Sequence, residues 1–292
     1  MCILERFMWF LVFSPGVSCY PKDARKTGGS RGCKGQTMII AQISDCHVLA
    51  GGRLLAGRFD TGAAFGRLIE AVARLTTRPD VIVFSGDLGE DATAEEYAMV
   101  GDGLRSLGIP VRAVPGNHDL RAPMLAALPD MVGATAEGHL NIVEDGFPLV
   151  LVGLDTLVEG ASHGALCAAR LAWLEETLAR HAERPVLLFQ HHPPITTGLQ
   201  AMDRIGLLEG RAALADLVTR HGRVEAILCG HMHRAIQGRC GGAPVRVAPS
   251  ASHQIAFDLR PEEPYRLLDE PAQFTVHIWD PDDGLISHIV PV

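Results

Sequence analysis

Aromatic residues are scarce in this sequence, at 5% of 292 positions. So few rings cannot tile a platform on which the bases of a single strand would stack. An excess of positive charge is also missing. Lys and Arg number 26 against 34 Asp and Glu, a formal net charge of -8. Broad binding to nucleic-acid polymers or anionic membranes favours the opposite balance. The N-terminal apolar run, Phe7 to Phe13, falls far short of the ~20 residues of a spanning helix. Seven cysteines are present, without a C-x-x-C pair or an even-numbered framework. That pattern excludes a disulfide scaffold and points to a reduced, cytoplasmic protein.

What is present is an ordinary globular composition, 47% apolar and 21% charged, preceded by an atypical segment. Residues 1–37 combine the short apolar run with Pro, Gly, Lys and Arg. As a signal peptide the segment is poor, since Glu5 offsets Arg6 and no small-x-small cleavage site follows. Gly16, three places before Cys19, is equally unsuited to a lipoprotein signal. This segment is expected to be a disordered extension or a mis-called start, with Met38 opening the folded protein.

From Met38 onward, apolar runs of strand length alternate with helical patterns. Strands are expected at Met38–Ile43, Asp80–Phe84, Val111–Val114, Leu149–Leu154, Val186–Phe189 and Ala226–Cys229. Shorter strands are expected around 244–247, 274–279 and 286–290. Helices are expected over Thr61–Leu75, Ala94–Leu107, Ala168–His181 and Arg211–His221. With no long linker or repeat, residues 38–292 read as one α/β domain, a core over 38–255 and C-terminal strands over 256–292.

Five polar motifs follow five of these strands, at the carboxyl ends where α/β sheets bind ligands. Asp45-Cys46-His47 comes first. In extended backbone alternate side chains share a side, so both groups are expected to reach one ion. Gly86-Asp87 is second, its glycine permitting a sharp turn that aims the carboxylate into the crevice. In Gly116-Asn117-His118-Asp119 the amide oxygen is a neutral ligand and His118 can donate a proton. Asp119 is expected to orient that imidazole. His191-His192-Pro193-Pro194 is a loop stiffened by prolines, and Gly230-His231-Met232-His233 again alternates two imidazoles. Each motif alone has a plain reading as a polar turn. The combination, one motif per strand end, points to a metal centre.

In this order the motifs resemble those of the calcineurin-like metallophosphoesterases: D-x-H, G-D, G-N-H-[DE], H and G-H-x-H. The resemblance runs from Met38 to about Val247. It is nearest to the class III cyclic-nucleotide phosphodiesterases and the bacterial glycerophosphodiesterases, through His-His-Pro-Pro, Met202 to Leu207 and Ser252-His253-Gln254. It implies a four-layer α/β/β/α sandwich with two packed mixed sheets. It further implies two metal ions per chain, one held by Asp45, His47, Asp87 and His233, the other by Asp87, Asn117, His191 and His231. Asp87 would bridge them, and His191 is preferred to His192 because the family pattern is H-x-P. Two carboxylates against two divalent ions leave a net +2, suited to a phosphodiester monoanion. The mixed nitrogen and oxygen shell suits iron, manganese, cobalt or zinc better than calcium. His118 and Asp119 would carry catalysis.

His192 and His253 are expected beside the site or in the pocket wall. His139, His163, His181, His221, His277 and His288 are expected to be structural or superficial. Arg53 and Arg58 are read as solvated loop charges that could approach an anion. The expected activity is hydrolysis of a small phosphodiester, cyclic nucleotides ahead of glycerophosphodiesters, with no polymeric nucleic acid and no membrane as partner. A phosphomonoesterase, a nuclease and a catalytically idle metal-binding scaffold are the alternatives. By analogy with related enzymes, the tail after Ile255 is compatible with a homo-oligomer.

Overall fold

The computed structural model of the chain describes residues 36–292. The expectation for residues 1–37 thus lies, save for its last two positions, outside the described residues. From Met38 the chain forms β1 (Met38–Ile43), α1 (Thr61–Ala73), β2 (Val81–Phe84), α2 (Ala94–Ser106), β3 (Val111–Ala113) and α3 (Arg121–Ala127). There follow β4 (Ile142–Glu144), β5 (Val150–Leu154), β6 (Gly164–Ala165), α4 (Ala168–Arg180), β7 (Val186–Gln190) and α5 (Gln200–Asp203). Next are β8 (Leu207–Glu209), α6 (Arg211–His221), β9 (Val224–Cys229), β10 (Ile236–Cys240) and β11 (Ala243–Val247). The chain closes with β12 (Gln254–Ile255), β13 (Leu267–Leu268), β14 (Gln273–Asp280) and β15 (Gly284–Pro291).

Local chemistry fixes several boundaries. The Asp60 carboxylate accepts from Ala63 N at 2.9 Å and starts α1. Thr93 and Glu96 form a capping box at α2. Gly108, at φ +62°, ends α2 in the left-handed conformation that glycine adopts without steric cost.

Two mixed sheets carry the fold, ordered β15-β14-β1-β2-β3 and β10-β11-β9-β7-β5-β4. β1, β2 and β3 are parallel, as are β5, β7 and β9. Strand alternation divides the apolar side chains between layers. Ile40 and Val83 point toward Leu151, Leu187 and Leu228, filling the space between the sheets. Ala41, Ile43 and Phe84 point the other way, onto Phe65 and Leu68 of α1 and Val100 and Leu104 of α2. On the second sheet Val152, Leu188 and Ile227 pack against Leu174 of α4 and Leu214 of α6. The layers are therefore α/β/β/α.

The C-terminal strands are built into this frame. β14 lies antiparallel against β1 over Met38 to Gln42, so the first sheet extends past residue 255. Short elements absent from the sequence reading, among them α3, β4 and β10, carry too few residues for a periodic pattern to register.

Candidate metal centre and substrate cleft

The loops after β1, β2, β3, β7 and β9 meet at one end of the sandwich. Backbone hydrogen bonds tie them together: Asp45 N donates to Gly86 O at 3.0 Å, His47 N to Asp87 O at 3.1 Å, and Gly230 N to His191 O at 3.0 Å. Close approach demands glycine. A Cβ on Gly86 would sit 2.5 Å from His191 Nδ1, and one on Gly116 would overlap the Asp87 carboxylate.

Extended backbone at the D-x-H and G-H-x-H pairs would place alternate side chains on one side. The structure differs. Asp45 (φ 54°), His47 (φ 45°), Asp87 (φ 56°), His231 (φ 71°) and His233 (φ 47°) all occupy the left-handed region. Such a conformation costs a non-glycine residue ~1 kcal/mol or more and persists only where surrounding structure enforces it. The turned backbone sends His231 and His233 to different groups of ligand atoms.

The first group comprises Asp45, His47, Asp87 and His233, whose ligand atoms all lie within 4.8 Å of one another. His47 Nε2 lies 3.0 Å from His233 Nε2 and 3.4 Å from Asp87 Oδ2, while His233 Nε2 lies 3.4 Å from Asp45 Oδ1. In the second group, Asn117 Oδ1 lies 3.1 Å from His191 Nε2 and 2.9 Å from His231 Nδ1. Asp87 Oδ2 belongs to both, 3.3 Å from His191 Nε2. The seven ligand candidates named from the sequence thus converge.

Three of the imidazoles have their tautomer set from behind. His47 Nδ1 faces Glu90 Oε2 at 2.7 Å, His191 Nδ1 faces Ser85 O at 2.8 Å, and His233 Nδ1 faces His253 O at 2.9 Å. With the proton on Nδ1, each Nε2 presents a lone pair to the centre. Two such lone pairs 3.0 Å apart, ringed by buried carboxylates, repel unless a cation sits among them. The residues present therefore fit a metal.

Electrostatics agree. Burial raises the Asp45 carboxyl and holds the His47 and His231 imidazoles well below their usual range. Burial also opposes charge on Asp87, but His191, His118 and His47 keep its carboxyl well below the ordinary value. Burial opposes charge on His191, yet with no cation in place Asp87 and Asp45 lift it to about 9, so a metal bound at Nε2 would displace that proton. Two buried carboxylates among imidazoles thus favour positive charge at the place a cation would occupy.

His118 borders the cleft beside this centre, with its side chain 34% exposed. The expected partner of its ring, Asp119, does not reach it. Asp119 is buried and accepts from Asp87 N (2.9 Å), Gly116 N (2.8 Å) and the Tyr97 hydroxyl (3.1 Å). With a longer contact from Leu88 N at 3.4 Å, four donors occupy its oxygens, and it braces the loops after β2 and β3. Glu90 stands where Asp119 was expected, its carbonyl 3.2 Å and its Oε2 3.3 Å from His118 Nδ1. Neither Glu90 nor Tyr97 belongs to one of the five motifs. A carboxylate three places after Asp87 was the only signal for the first, and Tyr97 was hidden on an apolar helix face.

His192 lies beside His191 and His231, with ligand atoms within 4.8 Å of one another, but its two ring nitrogens are engaged by Thr156 Oγ1 (2.8 Å) and Ser162 O (3.2 Å). His253 lies in the cleft wall, its ring centroid 4.6 Å from that of His233. Arg53 is bound to Asp91 and Glu96, and Arg58 covers the Phe59 ring and donates to Leu267 O. His277 is buried between Gln42 and Ser287. Among the described residues that line the cleft there is no Lys or Arg.

The calcineurin-like phosphoesterase model matches residues 38–235, two thirds of the chain and all five motif loops. The chain belongs to the calcineurin-like phosphoesterase family. It is 35% identical over 251 residues to a probable glycerophosphodiester phosphodiesterase of Arcobacter nitrofigilis, covering 86% of this chain and 92% of the relative. To a probable cyclic nucleotide phosphodiesterase of Rhodopseudomonas palustris it is 37% identical over 260 residues, covering 86% and 91%. Among solved structures, a dimetal phosphatase from Danio rerio superposes with a TM-score of 0.58 at 16% identity, covering 87% of this chain and 98% of that one. That likeness concerns the fold. No helix among the described residues is long and apolar enough to cross a membrane.

Proposed function

We propose that this phosphoesterase hydrolyses a small phosphodiester, a cyclic nucleotide (3′,5′ or 2′,3′) in preference, at a centre of two metal ions. It is a metal-dependent phosphoric diester hydrolase. One ion would be held by Asp45, His47, Asp87 and His233, the other by Asp87, Asn117, His191 and His231. The observation that carries the reading is Asp87 Oδ2, which lies 3.4 Å from His47 Nε2 and 3.3 Å from His191 Nε2. One carboxylate oxygen is shared between two sets of donors. Iron, manganese, cobalt or zinc suits these ligands. When bound, such a pair supplies Lewis-acid stabilisation of phosphoryl oxygens and a water of lowered pKa.

The chain's own residues supply the rest. Asp87 Oδ1 accepts from His118 N at 2.9 Å, placing the imidazole beside the shared carboxylate. Burial opposes charge on that ring, but Asp87 and Glu90 raise its pKa above the usual value. The protonated form is favoured, as a donor to the leaving alkoxide requires. The lining residues carry no fixed positive charge, which favours a diester monoanion over a monoester dianion.

A glycerophosphodiester is the second reading, favoured by the similarity to the Arcobacter enzyme of that name. Cysteines 46, 167, 229 and 240 are free, which supports a reducing, cytoplasmic setting. Exposed Phe257 and Leu259 support a homo-oligomer.

The test is turnover of bis(p-nitrophenyl) phosphate against p-nitrophenyl phosphate by metal-loaded protein, with Asn117→Ala as control. Preference for the diester, lost in the variant, is expected. Preference for the monoester moves the assignment to a phosphatase. No turnover with both ions bound leaves a metal-binding scaffold.

A further inference from the structure

Two kinds of side chain line the cleft. Beside the metal ligands lie Leu55, Met202, Ile205, Ile255, Leu267 and Tyr265. Met202 and Ile255 are buried, whereas Tyr265 is 51% exposed. Bare phosphoryl chemistry has no use for an apolar wall, which serves whatever the phosphate is attached to.

Three of these side chains come from one arm, the β12–β13 hairpin and its long connection. Its two ends are joined by Ala256 N donating to Arg266 O at 2.9 Å. Guanidinium groups from three different loops hold the arm by its backbone. Arg234 donates to Ile255 O at 2.6 Å, Arg204 to Pro261 O at 2.9 Å, and Arg58 to Leu267 O. Three arginines near an anion-binding centre are thus committed to fixing a wall rather than to contacting phosphate. An arm so anchored presents Tyr265 as a half-open ring at a fixed place beside the centre. A half-exposed tyrosine on a rigid support gains most by covering a flat, apolar face.

We infer that Tyr265 is a specificity-determining residue that stacks on the nucleobase of a cyclic-nucleotide substrate, the arm's apolar wall enclosing the base. This rests on the phosphodiesterase reading above. A glycerophosphodiester has no planar group to occupy the place.

The experiment compares wild type, Tyr265→Ala and Tyr265→Phe, each metal-loaded, on 3′,5′-cyclic AMP and on glycerophosphoethanolamine. The ratio of kcat/KM for the cyclic nucleotide to that for the glycerophosphodiester is expected to fall roughly tenfold in Tyr265→Ala. It is expected to recover in Tyr265→Phe. A second readout needs no turnover. Fluorescence of 2-aminopurine riboside 5′-monophosphate is quenched by stacking, and quenching on binding is expected to survive in Tyr265→Phe and vanish in Tyr265→Ala. Diester turnover with unchanged ratio and unchanged quenching overturns the stacking role while leaving the hydrolase intact. Absence of diester turnover in wild type sinks the hydrolase reading and this inference with it.

Discussion

Glu90 Oε2 lies 2.7 Å from His47 Nδ1 and so fixes which nitrogen of that imidazole faces the candidate metal centre. The same oxygen lies 3.3 Å from His118 Nδ1, coupling one proposed ligand to the proposed acid. Glu90→Gln keeps the shape and removes the charge. Loss of such a supporting carboxylate typically lowers metal affinity or activity ~10–100-fold. Titration calorimetry with Mn²⁺ is expected to show weakened binding. A pH–rate profile is expected to show the alkaline limb, where a proton donor loses its proton, moved to lower pH, because Glu90 raises the His118 pKa. Wild-type affinity and profile in Glu90→Gln would remove Glu90 from the site.

Metal removal is expected to destabilise the fold. Unprotonated imidazole nitrogens and buried carboxylates crowd the centre, and a ligand bound only by the native state stabilises it by RT ln(1 + [L]/Kd). That is about 2.7 kcal/mol at a hundredfold excess over Kd, or roughly 5–10 °C in Tm for a chain of this size. Calorimetry of chelated and Mn²⁺-reloaded protein checks this, and Asp87→Asn is expected to lose most of the shift. An equal shift in the variant would remove Asp87 as the shared ligand.

The Tyr97 hydroxyl donates to Asp119 Oδ1 at 3.1 Å and accepts from Leu120 N at 3.0 Å. Tyr97→Phe leaves two partners without that oxygen, at a cost of about 1–3 kcal/mol. Urea denaturation is expected to show a lower midpoint with unchanged slope. A midpoint equal to wild type would mean that Asp119 is held by the backbone amides alone.

His277 is buried, and desolvation lowers its pKa to about 3. In the unfolded chain the ordinary value is ~6.5. Below that pH the unfolded state takes up a proton that the native state refuses, so stability is full above pH ~6.5 and falls progressively toward pH 3. The cost approaches roughly 5 kcal/mol at the lower end. His277→Gln, able to bond both Gln42 and Ser287, is expected to flatten this part of the profile in metal-free protein. Parallel profiles for wild type and variant would place the acid sensitivity elsewhere.

The sequence by itself determined the parts of this protein that depend on short stretches of chain. Apolar runs such as Val81–Phe84 and Val186–Phe189 announce buried parallel strands, because both faces must be apolar. The motifs after them announce ligands, because residue type and a strand end are both local properties. The resemblance carried by those motifs then gave the layer order and the pairing of Asp87 with both groups of ligands.

Tertiary structure decided what depends on distant partners. Asp45 and His47 are turned into the left-handed region by backbone bonds to Gly86 and Asp87. Asp and His visit that region more readily than most residues, but only enforcing partners hold them there. Asp119 sits next to His118 in sequence but turns to Tyr97 and the amides of another loop, while Glu90 reaches His118 from 28 positions away. β14 joins β1 across most of the chain, and the arm ending at Leu267 is fastened over the cleft by Arg58. Such contacts form only when the chain closes on itself, since they join groups whose own neighbourhoods in sequence carry no trace of one another.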